Sequence, residues 1–346
     1  MQGHPPALNV YLASGWWGGW VHLVSVWVVG WMCYNTPMTK LASPTVRTLI
    51  ISTLIFGLVA CSQAPAPVDP AYVTEIEEWR AGRLERLAAD DGWLTLTGLH
   101  WLDPGENLFG SGEDNTVVVP DGNVPIVAGQ LILGPDGLVT AIAGEGSGVK
   151  VNGEPLTETT LKTDAMGKPD VVTAGRIQFY IIARDGRFAA RVKDPEATTR
   201  AEFAGIEHFA IDESYRVEAR LDHYDTQREA AVPTVLGQDT TYIAPGVLHF
   251  SIDGTDYTLE PYLSGPENEN YFLIFRDATS AVTTYGAGRF LYASAVDESG
   301  TTVLDFNLAY NPPCAFTPFA TCPLPPPQNW LQASVEAGEK YAGEAH

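Results

Sequence analysis

Apolar residues Tyr72, Val73, Ile76, Trp79, Leu84 and Leu87 recur at helical spacing, so the chain predicts a helix over 69–91. Asp69 supplies an N-cap and Pro70 a first-turn proline, and Asp90-Asp91-Gly92 ends the run. Arg80, Arg83 and Arg86 form a basic stripe beside it, read as a solvated face. From Trp93 the period falls to two. Short runs such as Leu94–Leu96, Leu99–Leu102, Val117–Val119, Ile126-Val127, Leu131–Leu133 and Val139 alternate with Gly, Pro and Asp turns about every ten residues. Further strands are expected at Ile177–Ile182, Arg187–Val192, Tyr215–Leu221, Val247–Ile252 and Tyr257–Leu259, with hairpin turns at Asp185-Gly186 and Asp253-Gly254. Asp194, Arg191 and Arg200 are expected to pair on the surface. The pattern predicts a mostly β protein: two sandwich- or barrel-like domains, over 92–185 and 186–340, preceded by one N-terminal helix.

Near the C-terminus the polar positions change character. Arg276, Asp277, Thr279, Tyr285, Arg289, Asp305, Asn307 and Asn311 sit inside apolar runs, and Glu339 closes the block. Gly288–Val296 and Thr302–Leu308 flank Asp297-Glu298-Ser299-Gly300, which predicts a hairpin with Gly300 in the left-handed position. That register sets Leu291 opposite Asn307 and Ala293 opposite Asp305, gathering Arg289, Asp305 and Asn307 on one face. Phe290, Tyr292, Leu304, Phe306 and Leu308 then face a core. Two readings follow: a pocket in which Arg289 and Arg276 hold an anionic group, or a buried polar network in which every charge must be paired. Leu331, Ala333, Val335 and Ala337 alternate with polar residues and predict a closing strand.

The first 61 residues are built differently. Met38–Cys61 has a short basic region at Lys40 and Arg47, an apolar run from Leu49 to Val59, and Ala60 before Cys61. This is a secretory-signal pattern, and a run of eleven residues at ~1.5 Å each cannot cross ~30 Å of hydrocarbon. Leu58-Val59-Ala60-Cys61 resembles the lipobox of bacterial lipoproteins, which implies cleavage before Cys61 and a lipid on its thiol. The expectation is an exported lipoprotein of the cell envelope, outer-membrane and facing the periplasm, with its membrane contact made through that lipid. Residues 62–68 form an Ala/Pro tether. Residues 1–37, which hold five of the nine tryptophans, are read as a mis-set start or a membrane segment.

All 42 acidic residues and 18 of the 20 basic ones follow Cys61, so this part repels phosphate backbones and nucleic acid is not expected as a partner. The histidines lack metal-ligand spacing, and no Gly-x-Ser-x-Gly, His-Glu-x-x-His or Walker loop occurs. No metal or cofactor is expected. Cys314 and Cys322 share a loop stiffened by Pro312, Pro313, Pro318 and Pro323. In an exported protein they read first as a disulfide of roughly 2–3 kcal/mol, and otherwise as a catalytic thiol or half of a metal site.

Two resemblances add to this. Gly105–Pro120 with Val151-Asn152-Gly153 resembles a forkhead-associated (FHA) sandwich. Ser111 stands where its phosphate-binding Arg would follow Gly110, and no Ser-x-x-His lies near Val124–Gln130, so phosphopeptide binding is not carried over. More specifically, Thr284-Tyr285, Gly288–Leu291, Asp305-Phe306-Asn307, Ala309–Pro312 with Cys314, Cys322–Pro326 with Asn329, and Ala337–Lys340 resemble family 1684 of domains of unknown function. That likeness runs from about Ile76 to Lys340 and implies a shared fold without a reaction. The function expected is a binding or accessory module whose C-terminal pocket takes a small polar or anionic ligand. The alternatives are a hydrolase using Asp277, Asp305 or Glu339 beside Arg289, and a purely structural envelope protein.

Overall fold

The computed structural model describes residues 68–121, 123–265, 268–341 and 343. The signal, Cys61 and the expectations for 1–37 lie outside these residues. Helix α1 spans Pro70–Ala88, and Asp69 Oδ1 accepts the Ala71 N–H at 2.9 Å, as the cap predicts. Its buried residues are Ile76, Leu87 and Arg83. The basic stripe is therefore not all solvated, because Arg83 points into the protein. Among the described residues no helix is long and apolar enough to cross a membrane.

The first sandwich follows. Its strands are β1 Leu96–Trp101, β2 Gly105–Gly110, β3 Val117–Val118, β4 Gly129–Leu133, β5 Val139–Ala143, β6 Lys150–Val151, β7 Glu154–Pro155, β8 Glu158–Leu161, β9 Val172–Ala174, β10 Ile177–Arg184 and β11 Arg187–Lys193. One sheet runs β3-β2-β4-β5-β8 and the other β1-β11-β10-β9-β6-β7. Phe109, Leu131 and Val139 from the first meet Val172, Ile177, Phe179 and Val192 from the second in one core. Phe109 and Phe179 pack edge to face at 5.4 Å. The Asp185-Gly186 turn, with both φ positive, closes a β10–β11 hairpin. That hairpin spans the expected domain boundary at 185/186, so the first sandwich continues to Lys193. Ile126-Val127 is not a strand: Ile126 is 75% exposed, in a bend where its carbonyl accepts the Gly112 N–H and lies close against Gly110.

The second sandwich holds β12 Arg216–Pro233, β13 Asp239–Ile252, β14 Thr255–Leu259, β15 Tyr262–Ser264, β16 Asn270–Phe275, β17 Arg289–Ser294 and β18 Thr301–Asp305. Its sheets are β14-β13-β12-β18 and β15-β16-β17. The turn at Asp297–Gly300 forms as predicted, with the Asp297 N–H on Thr301 O and Gly300 at φ 79°. Its two arms, however, do not pair. β17 adds to β16, setting Leu291 opposite Leu273, while β18 adds to β12, setting Asp305 opposite Arg216. The turn is a crossing between sheets, and the expected register of Leu291 on Asn307 is absent.

The reason is that β16 and β17 are apolar on both faces. Tyr271, Leu273, Phe275, Leu291 and Ala293 enter one core, while Phe272, Ile274 and Phe290 enter another. Tyr292 is half-exposed rather than core-facing. Leu331, Ala333, Val335 and Ala337 are buried as the alternation predicts, but 331–337 forms no ladder. It is an extended strap over the first of these cores.

Candidate functional site

The nine polar positions picked out near the C-terminus form several separate groups. In the first, Arg289, 1% exposed, pairs with Asp277 at 2.5 Å and donates to the carbonyls of Val335, at 2.9 Å, and Ala337. The other Asp277 oxygen accepts the Thr279 N–H and hydroxyl, and Thr279 meets Thr284 at 2.9 Å. Burial pulls the Arg289 guanidinium below its ordinary range, opposed by Asp277. In the second, Asp305 caps the turn at Phe306–Leu308 through the Asn307 N–H and accepts the Tyr72 hydroxyl from α1 at 2.8 Å. Asn307 clamps both backbone groups of Asp212, and burial with the Asp305 bond pushes the Tyr72 phenol up. In the third, Arg83 of α1 donates to Glu339 at 3.1 Å and to Asn311 O at 2.9 Å, while Glu339 Oε2 accepts the Asn311 N–H. Burial raises the Glu339 carboxyl above its usual range.

These groups hold backbone in place. Arg289, Asp305 and Asn307 do not converge, and Asp277 and Glu339 are closed off from solvent. Tyr285 donates to Cys314 O at 3.1 Å under Tyr341, and Arg276 stacks over Trp330 at 4.9 Å. Cys314 and Cys322 are unbonded, buried thiols, contrary to the expected disulfide. Arg191 does not pair with Asp194, which takes Arg176 at 2.8 Å, and Arg200 pairs with Asp90. Among the described residues, no cluster of three His, Cys, Asp or Glu side chains could hold a metal.

An open site lies elsewhere. A cleft of about 530 Å³ runs between the two sandwiches, within the ~300–1,000 Å³ range of ligand pockets. Trp93, Arg184 and Arg191 line it from the first sandwich, and Tyr242, Thr321 and Cys322 from the second. None of the nine predicted positions borders it. Arg191 rises from β11 through an apolar run and is 3% exposed. Its guanidinium lies over Trp93 at 5.2 Å and donates to Tyr180 at 3.2 Å and Thr321 at 3.1 Å. Among the described residues it has no carboxylate partner, and its Nε has no hydrogen-bond acceptor. Arg184 also donates to Thr321, at 3.2 Å, and is balanced by Asp164 at 2.8 Å. One positive charge is therefore left over.

Reading the sequence for surface pairing missed Arg191. The available signal was an arginine between Ala190 and Val192 on a strand whose neighbours are all apolar. Thr321 and Tyr242 carried none, because only the docking of distant segments brings them to the same cleft.

Residues 201–340 match the family model described as "Protein of unknown function (DUF1684)". The solution NMR structure of an uncharacterized protein from Haloarcula marismortui is 33% identical, covering 41% of this chain and 78% of that one, with a TM-score of 0.35. A structure from work on phosphothreonine-dependent FHA domain interactions is 19% identical over 28% of this chain and 92% of its own, with a TM-score of 0.20. The FhaA FHA domain, complexed with an intracellular domain, is 20% identical over 28% of this chain and 97% of its own, also at 0.20. No curated protein matches the chain.

Proposed function

We propose that this chain, which belongs to the DUF1684 family of proteins of unknown function, is a binding module for a small anion carrying a flat apolar group. The observation that carries the reading is Arg191, a buried guanidinium beside an open cleft with no carboxylate partner among the described residues. An uncompensated buried charge costs several kcal/mol, and an anion from solution would remove that penalty. A carboxylate or phosphate monoester would accept from Arg191 and Arg184, while Trp93 and Tyr242 would flank its apolar part. The hydrolase alternative has less support, since Asp277, Asp305 and Glu339 each accept a backbone N–H and Asp277 is also paired with Arg289.

The test is calorimetric titration with phenyl phosphate and with inorganic phosphate. Wild-type protein is expected to bind phenyl phosphate more tightly. Arg191→Met should weaken it about ten- to a hundredfold, the loss of one charged hydrogen-bonding group. Without ligand, Arg191→Met should melt no lower than wild type, because it removes a charge the fold does not neutralise. Equal binding by the variant, or no binding by the wild type at millimolar concentration, would overturn the reading.

The lipid tether at Cys61 is a second, independent proposal, supported by the Leu58–Cys61 pattern. Expressed in a bacterium that processes lipoproteins, wild-type protein should enter the detergent phase on Triton partitioning, and Cys61→Ala should remain in the aqueous phase. Aqueous partitioning of the wild type would remove the proposal.

A further inference from the structure

Cys322 lines the cleft and Cys314 lies directly behind it. The Cys314 N–H donates to Cys322 Sγ at 3.2 Å, a contact that favours negative charge on that sulfur. Both side chains are buried, in a loop braced by Pro313 and Pro323, and Tyr285 fixes the Cys314 carbonyl at 3.1 Å. Arg191 lines the same cleft from the first sandwich. This differs from an inert pair of core thiols in one respect: Cys322 lines the cleft together with a cation that has no carboxylate partner among the described residues, and the Cys314 backbone already touches the Cys322 sulfur.

We propose that Cys314 and Cys322 form a thiol–disulfide exchange centre at the floor of the cleft, acting on small anionic disulfides that Arg184 and Arg191 draw in. The choice of an anionic substrate rests on the anion reading of the same cleft; the exchange itself does not. In the first step the Cys322 thiolate attacks one sulfur of the substrate disulfide. A Cys322–substrate bond forms, the substrate's own S–S bond breaks, and one substrate thiolate leaves. In the second, Cys314 gives up its proton to water and attacks Cys322 Sγ, expelling the other substrate thiolate and leaving an internal disulfide. Two electrons pass from the protein dithiol to the substrate, which is the only oxidant needed. The two thiols share one ionisation: Cys322 lowers the Cys314 thiol and Cys314 raises that of Cys322, so the first proton leaves Cys314, whose thiolate takes the Cys322 proton as Cys322 attacks.

The experiment uses the full chain carrying Cys33→Ser and Cys61→Ser, which leaves the two loop cysteines as its only thiols. The probes are dithiobis(nitrobenzoate), an anionic aromatic disulfide, and dithiodipyridine, a neutral one. The folded protein should release both aromatic thiols per molecule of either reagent, and mass spectrometry should show a product lighter by two hydrogens. With Cys314→Ser added, release should stop after the first thiol and an adduct should remain on Cys322. With Cys322→Ser added, reaction should slow at least about tenfold until urea unfolds the chain, because Cys314 is not on the cleft. Adducts on both cysteines without closure, or no reaction of the folded protein with either probe, would overturn the proposal. Arg191→Met separates the two claims. It should slow the anionic probe by about tenfold relative to the neutral one. An unchanged ratio with closure intact would remove the anion reading and leave the exchange centre standing.

Discussion

Arg289→Met is expected to lower folding stability by about 3–5 kcal/mol, a large part of the roughly 5–15 kcal/mol a natural protein has in total. The reason is the carboxylate left behind. Asp277 is fully buried, and without Arg289 its charge keeps only the Thr279 N–H and hydroxyl. The carbonyls of Val335 and Ala337 lose their donor at the same time, and each is part of a strap with no ladder of its own. Urea unfolding followed by fluorescence would measure the effect as a shift in midpoint at constant slope. The double variant Asp277→Asn/Arg289→Met should recover part of the loss, since the orphaned charge is then gone. A single-variant loss below about 1 kcal/mol would show that the pair contributes no more than an exposed one.

Gly338→Val should be nearly as damaging, for a steric reason. Gly338 has φ 79°, and a Cβ there would lie 2.3 Å from the Ala309 carbonyl oxygen and 2.8 Å from that of Phe306. Both obstacles are backbone and cannot turn aside. The left-handed conformation costs a β-branched residue about 1–2 kcal/mol, and forced overpacking adds about 1–3. Ala309 O is also the acceptor for the Glu339 N–H, and Gly338 O accepts from Phe209, so the clash would loosen the end of the strap and the Arg83–Glu339 latch on α1 together. Differential scanning calorimetry should show a melting point lowered by several degrees, and limited proteolysis should cut first between 331 and 341. A variant that melts with the wild type would mean the strap can shift as a unit.

Local rules made much of this architecture legible. The Asp69-Pro70 start of α1, the Asp185-Gly186 and Asp253-Gly254 turns and the left-handed Gly300 all depend on neighbouring residues alone, and all formed. Pairing of strands across sheets was less visible. The Asp297–Gly300 turn looks like a hairpin turn, yet β17 and β18 separate, because Leu291 and Ala293 gain more by joining Leu273 and Phe275 in a buried layer. Likewise β12 reaches Pro233, well past the predicted Leu221, and this was hidden because Asp222–Glu229 is mostly polar and largely exposed on both faces, so the alternation resumes only at Ala230 and Val232. The polar positions from Asp277 to Glu339 stand out in the sequence as unusual for a surface, and they are buried. Their partners were not predictable, since Arg83 and Tyr72 come from a helix more than two hundred residues earlier. The cleft was the least legible feature, because Arg191 looked like an ordinary surface arginine.

Arg191 and the Thr321 hydroxyl that steadies it are 130 positions apart and belong to different sandwiches. On the proposed anion reading, occupancy of the cleft and docking of the two halves are one equilibrium: a guest that bridged the seam would hold both walls, and any force that opened the seam would release it. The stretch from 201 to 340 by itself would keep the strap and its Arg289–Asp277 pair but lack Arg83, Arg184 and Arg191. On that same reading, a chain shortened to that stretch would be a receptor without its charge.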